Sequence, residues 1–274
     1  MASFSGTTLT ASSAFDQIAE TYDASFTNSA TGRAQRKAVW KEIDRIFTAG
    51  QRVLEINCGT GVDALHLAAR GIHVIACDSA PRMVAVAQQR ARVAAHSAMV
   101  DFRVLANERI ATLQLEGPFD GILSNFSGLN CLSDLSLLAD ELSQLLKGRG
   151  KMVLCLFGRF CAWEIFWYLS RGEMRKAVRR FMPGARSAAL SSGSETNIWY
   201  HSVRQLKKAF TPRFRLLGWR GVGVTVPPSY LDVLAAGHPR LFRFATEIDP
   251  WLGECPGFRA MADHMLLVFE RIER

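Results

Sequence analysis

The sequence predicts an α/β fold in which a mostly parallel sheet carries helices on both faces. The first sign is that short apolar segments alternate with helical patterns along the first 158 residues, as in successive βαβ units. The second is a turn with two glycines, Asn57–Gly61, directly after the first apolar segment. The third is Asp78 at the end of the next segment, where nucleotide-binding folds place an acid against ribose hydroxyls.

The composition is that of a soluble globular chain. Its 274 residues are 49% hydrophobic and 21% charged, which suits one elaborated domain with a sizeable core. No apolar run approaches the roughly 20 residues that cross a bilayer, and the N-terminus lacks the basic start and apolar block of a secretory signal. Six scattered cysteines without CxxC pairs predict reduced thiols and no metal site. We therefore expect a cytoplasmic protein that begins with a mobile polar tail.

Seven apolar segments bounded by turn-forming residues predict the strands of the sheet. They are Arg52–Ile56, His73–Ala76, Phe102–Leu105, Gly121–Ser124, Lys151–Phe157, Phe214–Val226 and His264–Ile272. Because helical patterns separate the earlier segments, we expect those strands to run parallel to one another.

Apolar residues spaced at i, i+3 and i+4 predict the helices around these strands. The predicted helices are Ala14–Glu20, Gly32–Phe47, Val62–Ala69, Pro81–Ala95, Asp134–Leu146, Phe160–Leu169, Glu173–Phe181 and Ser202–Phe210. A polar connector is expected at residues 21–31 and a Ser/Gly-rich loop at 183–197. Residues 227–262 are expected to form an irregular, partly helical insertion.

The turn after the first strand favours a cofactor other than a dinucleotide. Gly59 and Gly61 let the backbone approach a ligand closely, but the G-x-G-x-x-G pattern of dinucleotide folds is absent. A pyrophosphate binds best to bare N–H groups at a helix N-terminus. Carboxylates at Glu55 and Asp63 would repel a pyrophosphate, whereas both would attract a cationic amino-acid ligand.

The segment Glu55–Gly61 (EINCGTG) resembles the first motif, acid-x-G-x-G-x-G, of the class I S-adenosylmethionine-dependent methyltransferases, with Asn57 in place of the first glycine. Asn tolerates left-handed backbone conformations better than most residues, so we expect the turn to survive. Three further segments resemble later motifs of this family in the right order: Asp78–Met83, Phe102–Asn107 and Phe119–Asn125. Residues 15–23 resemble the N-terminal entry segment of its small-molecule branch.

The resemblance implies a Rossmann-like methyltransferase core with a seven-stranded, mostly parallel sheet, helices on both faces, and a helical cap and insertions. The implied divisions are a tail and helical cap at 1–35, the cofactor-binding core at 36–158, a basic aromatic helical insertion that lids the acceptor at 159–212, and the last strands at 213–274 with a second insertion at 227–262. The implied cofactor is S-adenosylmethionine, and S-adenosylhomocysteine is its product.

The resemblance also implies which residues hold the cofactor. Glu55 would bind the methionyl ammonium, Asp78 the ribose, and Asn107 the adenine amino group. Gly59 and Gly61 would let the chain pass beneath the cofactor. The other implied contacts are Tyr22 over the cofactor, Met83 on adenine, the Asn57 amide, Ser124 and Asn125 at the ammonium end, and Thr60, Ser79 and Glu108. Three alternatives stay open: Met83 as plain core, Asn107 as a turn residue and Tyr22 as a surface aromatic.

Methyl transfer from a sulfonium is an in-line displacement, in which an enzyme mainly aligns the two reactants and excludes water. A base is needed only if the acceptor must lose a proton. His201 and Tyr200 are the first catalytic candidates, because they lie in the insertion where the resembled family builds its acceptor pocket. The other candidates are His264, Tyr230 and Glu164, and a structural role stays open for both histidines.

Charge is concentrated in one segment. Residues 159–220 carry 13 Lys and Arg against 3 acids, while the whole chain has a net charge of +8. A basic, aromatic lid suits an apolar or anionic small molecule as the acceptor. The aromatic and basic residues of 160–180 also allow contact with an anionic membrane surface, where a lipid or quinone-type amphiphile would be methylated.

Other functions are less well supported. Basic patches neutralise phosphates, but Ser124–Ser127 lacks the prolines of the motif with which base-amino methyltransferases of nucleic acids follow this strand. A protein that binds the cofactor without turnover is a further alternative. The sequence allows either a monomer or a homodimer.

Overall fold

The computed structural model describes residues 11–189 and 195–273. Much of the predicted N-terminal tail, residues 1–10, lies outside the described residues. So do residues 190–194, which belong to the predicted loop, and Arg274.

Within the described ranges the chain forms nine strands. They are β1 (Arg52–Ile56), β2 (His73–Asp78), β3 (Val100–Val104), β4 (Phe119–Ser124), β5 (Leu146–Phe157), β6 (Arg186–Ala189), β7 (Glu195–Ile198), β8 (Phe214–Val222) and β9 (His264–Arg271). Seven of them build one sheet in the order β3-β2-β1-β4-β5-β9-β8. Strands β1 to β5 are parallel, and β9 runs antiparallel to both of its neighbours. The predicted seven-stranded, mostly parallel sheet is confirmed.

Helices cover both faces of the sheet. They are α1 (Ala11–Tyr22), α2 (Ala30–Ile46), α3 (Val62–Ala69), α4 (Pro81–Ala91), α5 (Ser136–Leu145), α6 (Ala162–Leu169), α7 (Met174–Ala177), α8 (Val203–Phe210), α9 (Asp232–Gly237) and α10 (Pro239–Leu252). The polar connector predicted at 21–31 is instead largely helical, because a π-helical turn, Asp23–Thr27, continues α1. The predicted helix 81–95 ends four residues earlier, at Ala91.

An apolar core lies on each face of the sheet, and strand β1 contributes side chains to both. Leu54 and Ile56 pack into the core on one face of the sheet, whereas Val53 packs with Val39 and Ile43 of α2 on the other. Side chains alternate along a strand, so a strand that is buried on both faces is apolar at nearly every position. Among the buried positions of β1, Glu55 is the exception, and it faces the α2 side.

The prediction of a loop at 183–197 is wrong where β6 and β7 lie, because these two strands pair as a separate antiparallel hairpin. Thr196 and Ile198 of β7 are buried, whereas Glu195 is exposed. This alternation is the pattern of a half-buried strand, and the Ser/Gly-rich composition around it concealed the signal.

Ion pairing breaks the helix predicted at 173–181. α7 ends at Ala177, and a separate 3-10 turn spans Arg179–Phe181. The break lets Arg179 and Arg180 turn inward to the carboxylate of Glu164.

The strand predicted at 214–226 ends at Val222 because a side chain takes over its hydrogen bonds. The carboxylate of Asp249 accepts the backbone N–H groups of Gly223, Thr225 and Val226 at 2.7–3.2 Å. These groups are therefore unavailable to a neighbouring strand.

No helix in the described part of the chain is long and apolar enough to span a membrane. All six cysteines are free thiols, in agreement with their scattered spacing. Four of them, Cys58, Cys77, Cys155 and Cys161, are buried.

Candidate functional site

A cavity of about 370 Å³ lies at the carboxyl ends of β1, β2 and β4. The strand order reverses between β1 and β4, and ligands of open α/β sheets bind at such a switch point. Ten of the thirteen residues predicted to bind the cofactor line this cavity: Tyr22, Asn57, Gly59, Thr60, Asp78, Ser79, Met83, Asn107, Glu108 and Asn125. Glu55, Gly61 and Ser124 do not line it.

The turn after β1 accommodates an asparagine in place of glycine. Asn57 has a left-handed backbone (φ 58°), which asparagine adopts more readily than most residues. Its side chain fills the space that a Cβ on Gly128 would occupy, and its Oδ1 accepts the hydroxyl of Ser124 at 3.2 Å. The predicted survival of this turn is confirmed, and a glycine at 128 is what makes room for it.

The two turn glycines have different roles. Gly59 is left-handed (φ +53°), and a Cβ there would meet nothing within 4 Å, so the glycine opens onto free cavity space. Gly61 is also left-handed (φ +75°), but a Cβ there would lie 2.6–2.7 Å from Phe102 and Ala87. Gly61 therefore lets the turn pack against the core instead of lining the cavity.

Asp78 ties the turn to the end of β2. Its carboxylate accepts the N–H of Gly59 at 2.8 Å and the N–H of Ala80 at 2.9 Å. Burial raises the pKa of Asp78 above its ordinary value, although these two backbone donors act in the opposite direction. Asp78 thus holds the turn and also presents carboxylate to the cavity.

A buried ion pair forms another wall of the cavity. The guanidinium of Arg36 on α2 pairs with the carboxylate of Asp63 on α3, and both residues line the cavity. Asp63 also accepts the indole N–H of Trp40 at 2.6 Å and the amide of Asn125 at 3.0 Å. Arg36 is not among the predicted site residues, because nothing in a helical pattern marks one arginine as buried.

Glu55 lies behind this wall. It is 1% exposed, and its Oε2 has no hydrogen-bond partner in the described structure. Burial raises the pKa of Glu55 well above its ordinary value; the charge of Asp63 raises it further, while Arg36 lowers it. A buried carboxyl without a partner is a site where a cation would be favoured.

The N-terminal helices close the cavity from above. Met83 of α4 packs with Ile18 and Ala19 of α1, and Met83 and Tyr22 both line the cavity. Burial raises the pKa of Tyr22 to about 12, so its hydroxyl stays protonated. Tyr22 is a half-buried aromatic that packs against the core, and Met83 belongs both to the core and to the cavity.

A second set of polar contacts holds the N-terminal helices against the glycine turn and α4. The hydroxyl of Thr60 donates to Asp23 at 2.8 Å, and Arg90 pairs with the same carboxylate. Arg90 also donates to the hydroxyl of Thr60 at 3.1 Å. These contacts join the π-helical turn, the glycine turn and α4.

The chain turns sharply after β4. Phe126 (φ 50°) and Ser127 (φ 71°) both have left-handed backbones, which cost on the order of 1–3 kcal/mol each and are found at functional sites. Phe126 lines the cavity, and the guanidinium of Arg36 lies 4.7 Å from the centre of its ring. The ring of Phe126 also contacts the ring of His264 in an edge-to-face arrangement, with ring centres 5.5 Å apart.

Four of the five candidate bases gather in one cluster beyond Phe126, in which Glu164 and His264 are buried and Tyr230 is exposed. Its centre is Arg180, which is 4% exposed and pairs with Glu164 and Asp263. The hydroxyl of Tyr230 donates to Glu164 at 3.2 Å. The guanidinium of Arg180 lies 5.2 Å from the ring centre of Tyr200. The fourth candidate, His264, stacks on Phe157 with ring centres 4.6 Å apart.

His201 is separated from this cluster. Its Nε2 lies 2.9 Å from the carbonyl oxygen of Leu132, whose side chain lines the cavity. Burial lowers the pKa of His201 below its ordinary value. None of the described residues in 159–189 and 195–212 lines the cavity, so the acceptor lid predicted for that insertion stays a prediction.

Part of the positive charge of the basic segment is neutralised by ion pairs. Six of its 13 basic residues form ion pairs: Lys176, Arg179, Arg180, Arg213, Arg215 and Arg220. Several of the acidic partners come from outside the segment, among them Asp140, Asp263 and Glu270. The charge imbalance along the sequence therefore does not translate into an equally basic surface.

Known proteins resemble the sequence of this chain over about half of its length. Residues 53–150 match a family described as a methyltransferase domain. A demethylmenaquinone methyltransferase of Clavibacter sepedonicus is 32% identical over 148 residues, which cover 53% of this chain and 57% of that protein. A tRNA 5-carboxymethoxyuridine methyltransferase of Escherichia coli (strain K12) is 29% identical over 147 residues, which cover 52% and 56%. The chain thus spans little more than half the length of these curated relatives.

The likeness of fold extends further than the likeness of sequence. The solved CcbJ methyltransferase from Streptomyces caelestis aligns with a TM-score of 0.59 over 95% of this chain and 98% of that chain, at 15% sequence identity. At this identity the alignment shows a shared fold alone.

Replacing Glu55 by glutamine should change how stability depends on pH. A carboxyl whose pKa is raised by folding stabilises the protein below its unfolded pKa and loses that contribution as the pH rises. Wild-type protein should therefore lose stability relative to Glu55→Gln above about pH 4.5, by up to about 1.4 kcal/mol per pH unit. Urea unfolding of both proteins between pH 5 and 8 measures the difference.

The matched control is Glu20→Gln, since the Glu20 side chain is 79% exposed. Its unfolding free energy should follow the wild-type pH dependence. Parallel curves for wild type and Glu55→Gln would contradict the raised pKa.

Proposed function

We propose that this chain, whose residues 53–150 match a methyltransferase domain, is a class I S-adenosylmethionine-dependent methyltransferase that transfers the methyl group of S-adenosylmethionine to a small-molecule acceptor. The observation that carries the proposal is the cavity at the β1/β4 switch point, in which ten residues of the family's motifs converge. S-adenosylhomocysteine is the product that remains.

The chemistry of the cavity suits this cofactor. The open space over Gly59 would admit a ligand against bare backbone. Asp78 supplies a carboxylate for ribose hydroxyls, and Asn107 an amide for a nucleobase edge. The unpartnered Oε2 of Glu55, with Asp63 nearby, favours a ligand that carries positive charge.

We assign Arg36 to the carboxylate of the methionyl group. Its guanidinium lines the cavity and has more donors than the one carboxylate of Asp63 engages. Asp63 and the ring of Phe126 would hold the guanidinium in place. The predicted contacts of Tyr22, Met83, Thr60, Ser79, Glu108 and Asn125 remain part of the same proposal.

Catalysis would depend mainly on aligning the acceptor with the methyl group of the cofactor. The bound sulfonium supplies an already activated methyl group, so the protein needs to position the acceptor and exclude water. Phe126 is placed for this task, because it lines the cavity in a constrained left-handed conformation and is packed from behind by Phe26 and His264. Ser124 acts indirectly, through its hydrogen bond to Asn57.

His201 and Tyr200 stay our proposed catalytic residues where the acceptor must lose a proton. Burial and the lowered pKa keep His201 neutral near pH 7, the form in which a base accepts a proton. Tyr200 stands at the edge of the Arg180 cluster, where burial raises its pKa, so it would act as a hydrogen-bond donor.

The acceptor we favour is apolar, anionic or both. Phe15, Phe126 and Leu132 make one part of the cavity wall apolar. The name of the Clavibacter relative points to a quinone-type acceptor, which makes a lipid or quinone-type amphiphile the second candidate. The name of the Escherichia relative points to tRNA, and nucleic acid is our third candidate, because ion pairs engage six of the 13 basic residues of 159–220.

Replacing Asp78 by alanine should weaken the binding of S-adenosylhomocysteine by at least about tenfold, since hydrogen bonds to a charged acceptor contribute about 1.5–3 kcal/mol. Isothermal calorimetry measures the affinity, and a melting curve confirms that the variant is folded. The control is Asp101→Ala, which removes an exposed carboxylate from neighbouring β3. Unchanged affinity of Asp78→Ala would refute the assignment of the ribose contact.

Replacing His201 by glutamine tests the proposed base. With an acceptor that wild type turns over, log(kcat/KM) should be flat near pH 7 and fall only below pH 6.5, because burial lowers the pKa of His201 below that value. His201→Gln should lose this acid limb and about 10²- to 10⁴-fold in rate. His96→Gln, at an exposed histidine, should behave as wild type. An acid limb that persists in His201→Gln would show that another group titrates.

A further inference from the structure

A second, apolar groove lies apart from the cofactor cavity. It measures about 610 Å³ and is formed by α6, α9 and α10 with the chain after β8. Its walls include Trp163, Phe166, Leu234, Phe242 and Ile248. The groove shares no lining residue with the cofactor cavity, so the proposed methyl transfer does not account for it.

Large apolar side chains stand exposed around the groove. Phe166 of α6 is 71% exposed, and Val233 of α9 is 68% exposed. On α10 the exposed fractions are 65% for Leu241, 57% for Phe244 and 68% for Trp251. Contiguous exposed apolar surface marks a site of interaction with another molecule or with a membrane.

Four apolar residues of α10 form one stripe, in which Ile248 is half-buried and the other three are exposed. Leu241, Phe244, Ile248 and Trp251 are spaced at i, i+3, i+7 and i+10, which places them on a single face of the helix. The adjoining face is anchored, because Asp249 is buried and binds the backbone after β8. α10 therefore presents its apolar stripe outward from a fixed position.

Positive charge flanks this stripe. Arg240 and Arg243 are exposed on α10 and adjoin Leu241 and Phe244 in the sequence. Glu247 is the acid exposed on the same helix, since Asp249 is buried. An outward apolar stripe with arginines beside it is typical of a helix that lies in the interface of an anionic bilayer.

We propose that the face formed by α6, α9 and α10, here called the docking face, binds the surface of an anionic lipid membrane. Phe166, Leu241, Phe244 and Trp251 would enter the boundary between headgroups and acyl chains. Arg240 and Arg243 would contact the lipid phosphates.

The docking face differs from the membrane contact expected at 160–180. Phe160 of that segment packs on Phe181, with ring centres 5.6 Å apart. Arg179 and Arg180 form ion pairs with Glu164 and are therefore not free to contact lipid phosphates. From this segment the docking face takes chiefly Phe166, and α9 and α10 supply the rest.

A lipid surface fits the docking face better than a second copy of the chain does. In a two-fold dimer the same patch meets itself, so Arg240 and Arg243 of one copy would approach those of the other. Like charges brought together at an interface are unfavourable. An anionic surface satisfies both the apolar stripe and the arginines.

Co-sedimentation of the 274-residue chain with lipid vesicles tests this proposal. Vesicles of phosphatidylcholine with phosphatidylglycerol should bind the protein, and vesicles of pure phosphatidylcholine should bind it at least about tenfold more weakly. Leu241→Ser/Phe244→Ser should reduce binding to the anionic vesicles by at least about tenfold, because two apolar side chains no longer enter the bilayer. The matched control is Leu115→Ser/Leu137→Ser, at residues 98% and 80% exposed elsewhere, which should bind as wild type.

The charge contribution is tested separately. Arg240→Gln/Arg243→Gln should weaken binding to the anionic vesicles about tenfold or more, and Arg92→Gln/Arg204→Gln, at exposed arginines elsewhere, should leave it unchanged. All of these positions are exposed, so the variants should fold, as a melting curve checks.

Three outcomes would overturn the proposal: no binding to anionic vesicles, equal binding to neutral ones, or binding that survives Leu241→Ser/Phe244→Ser. Light scattering that shows a wild-type dimer which Leu241→Ser/Phe244→Ser dissociates, without vesicle binding, would assign the docking face to self-association. The measurements require no cofactor or turnover, so their outcome is independent of the proposed methyl transfer.

Discussion

The buried ion pair between Arg36 and Asp63 is the interaction on which the site depends. It joins α2 to α3, and through Asn125 it reaches the end of β4. The guanidinium also touches the N-terminal cap, because it lies 5.7 Å from the ring centre of Phe26. Removing one partner of such a buried pair typically costs about 3–5 kcal/mol, because the other charge is left unpaired. The same pair acts on the pKa of the buried Glu55 carboxyl. The charge of Asp63 raises that pKa, and the charge of Arg36 lowers it. Closure of the cap and the charge of the cavity are thus one feature of the structure.

Buried positive charge is also paired with acids that lie far away in the sequence. Arg180 is neutralised by Glu164, from the same insertion, and by Asp263, which directly precedes the last strand. This arrangement fixes the insertion to the sheet just behind Phe126, so the wall of the cavity rests on a buried ionic cluster. Further positive charge without a printed acidic partner lies beside the apolar stripe of α10, at the exposed residues Arg240 and Arg243.

The sequence predicted the core of the fold well, because strand burial, turn glycines and the acid after β2 are local signals. Asp78 and Gly59 were identified correctly as cavity residues for that reason. Arg36 was missed, since its burial depends on Asp63, 27 residues away. The break of the helix at 173–181 and the early end of β8 were missed for the same reason, as both result from carboxylates supplied by distant segments. The hairpin of β6 and β7 was hidden by a composition typical of loops.

The measurement that tests the central claim most directly is a thermal-shift titration of the wild-type protein with S-adenosylmethionine, S-adenosylhomocysteine and NAD in parallel. A ligand that binds the folded state raises the melting temperature by mass action. We predict a concentration-dependent rise with the two sulfur compounds and none with NAD. A rise with NAD alone, or no rise with either sulfur compound, would contradict the assignment of the cavity.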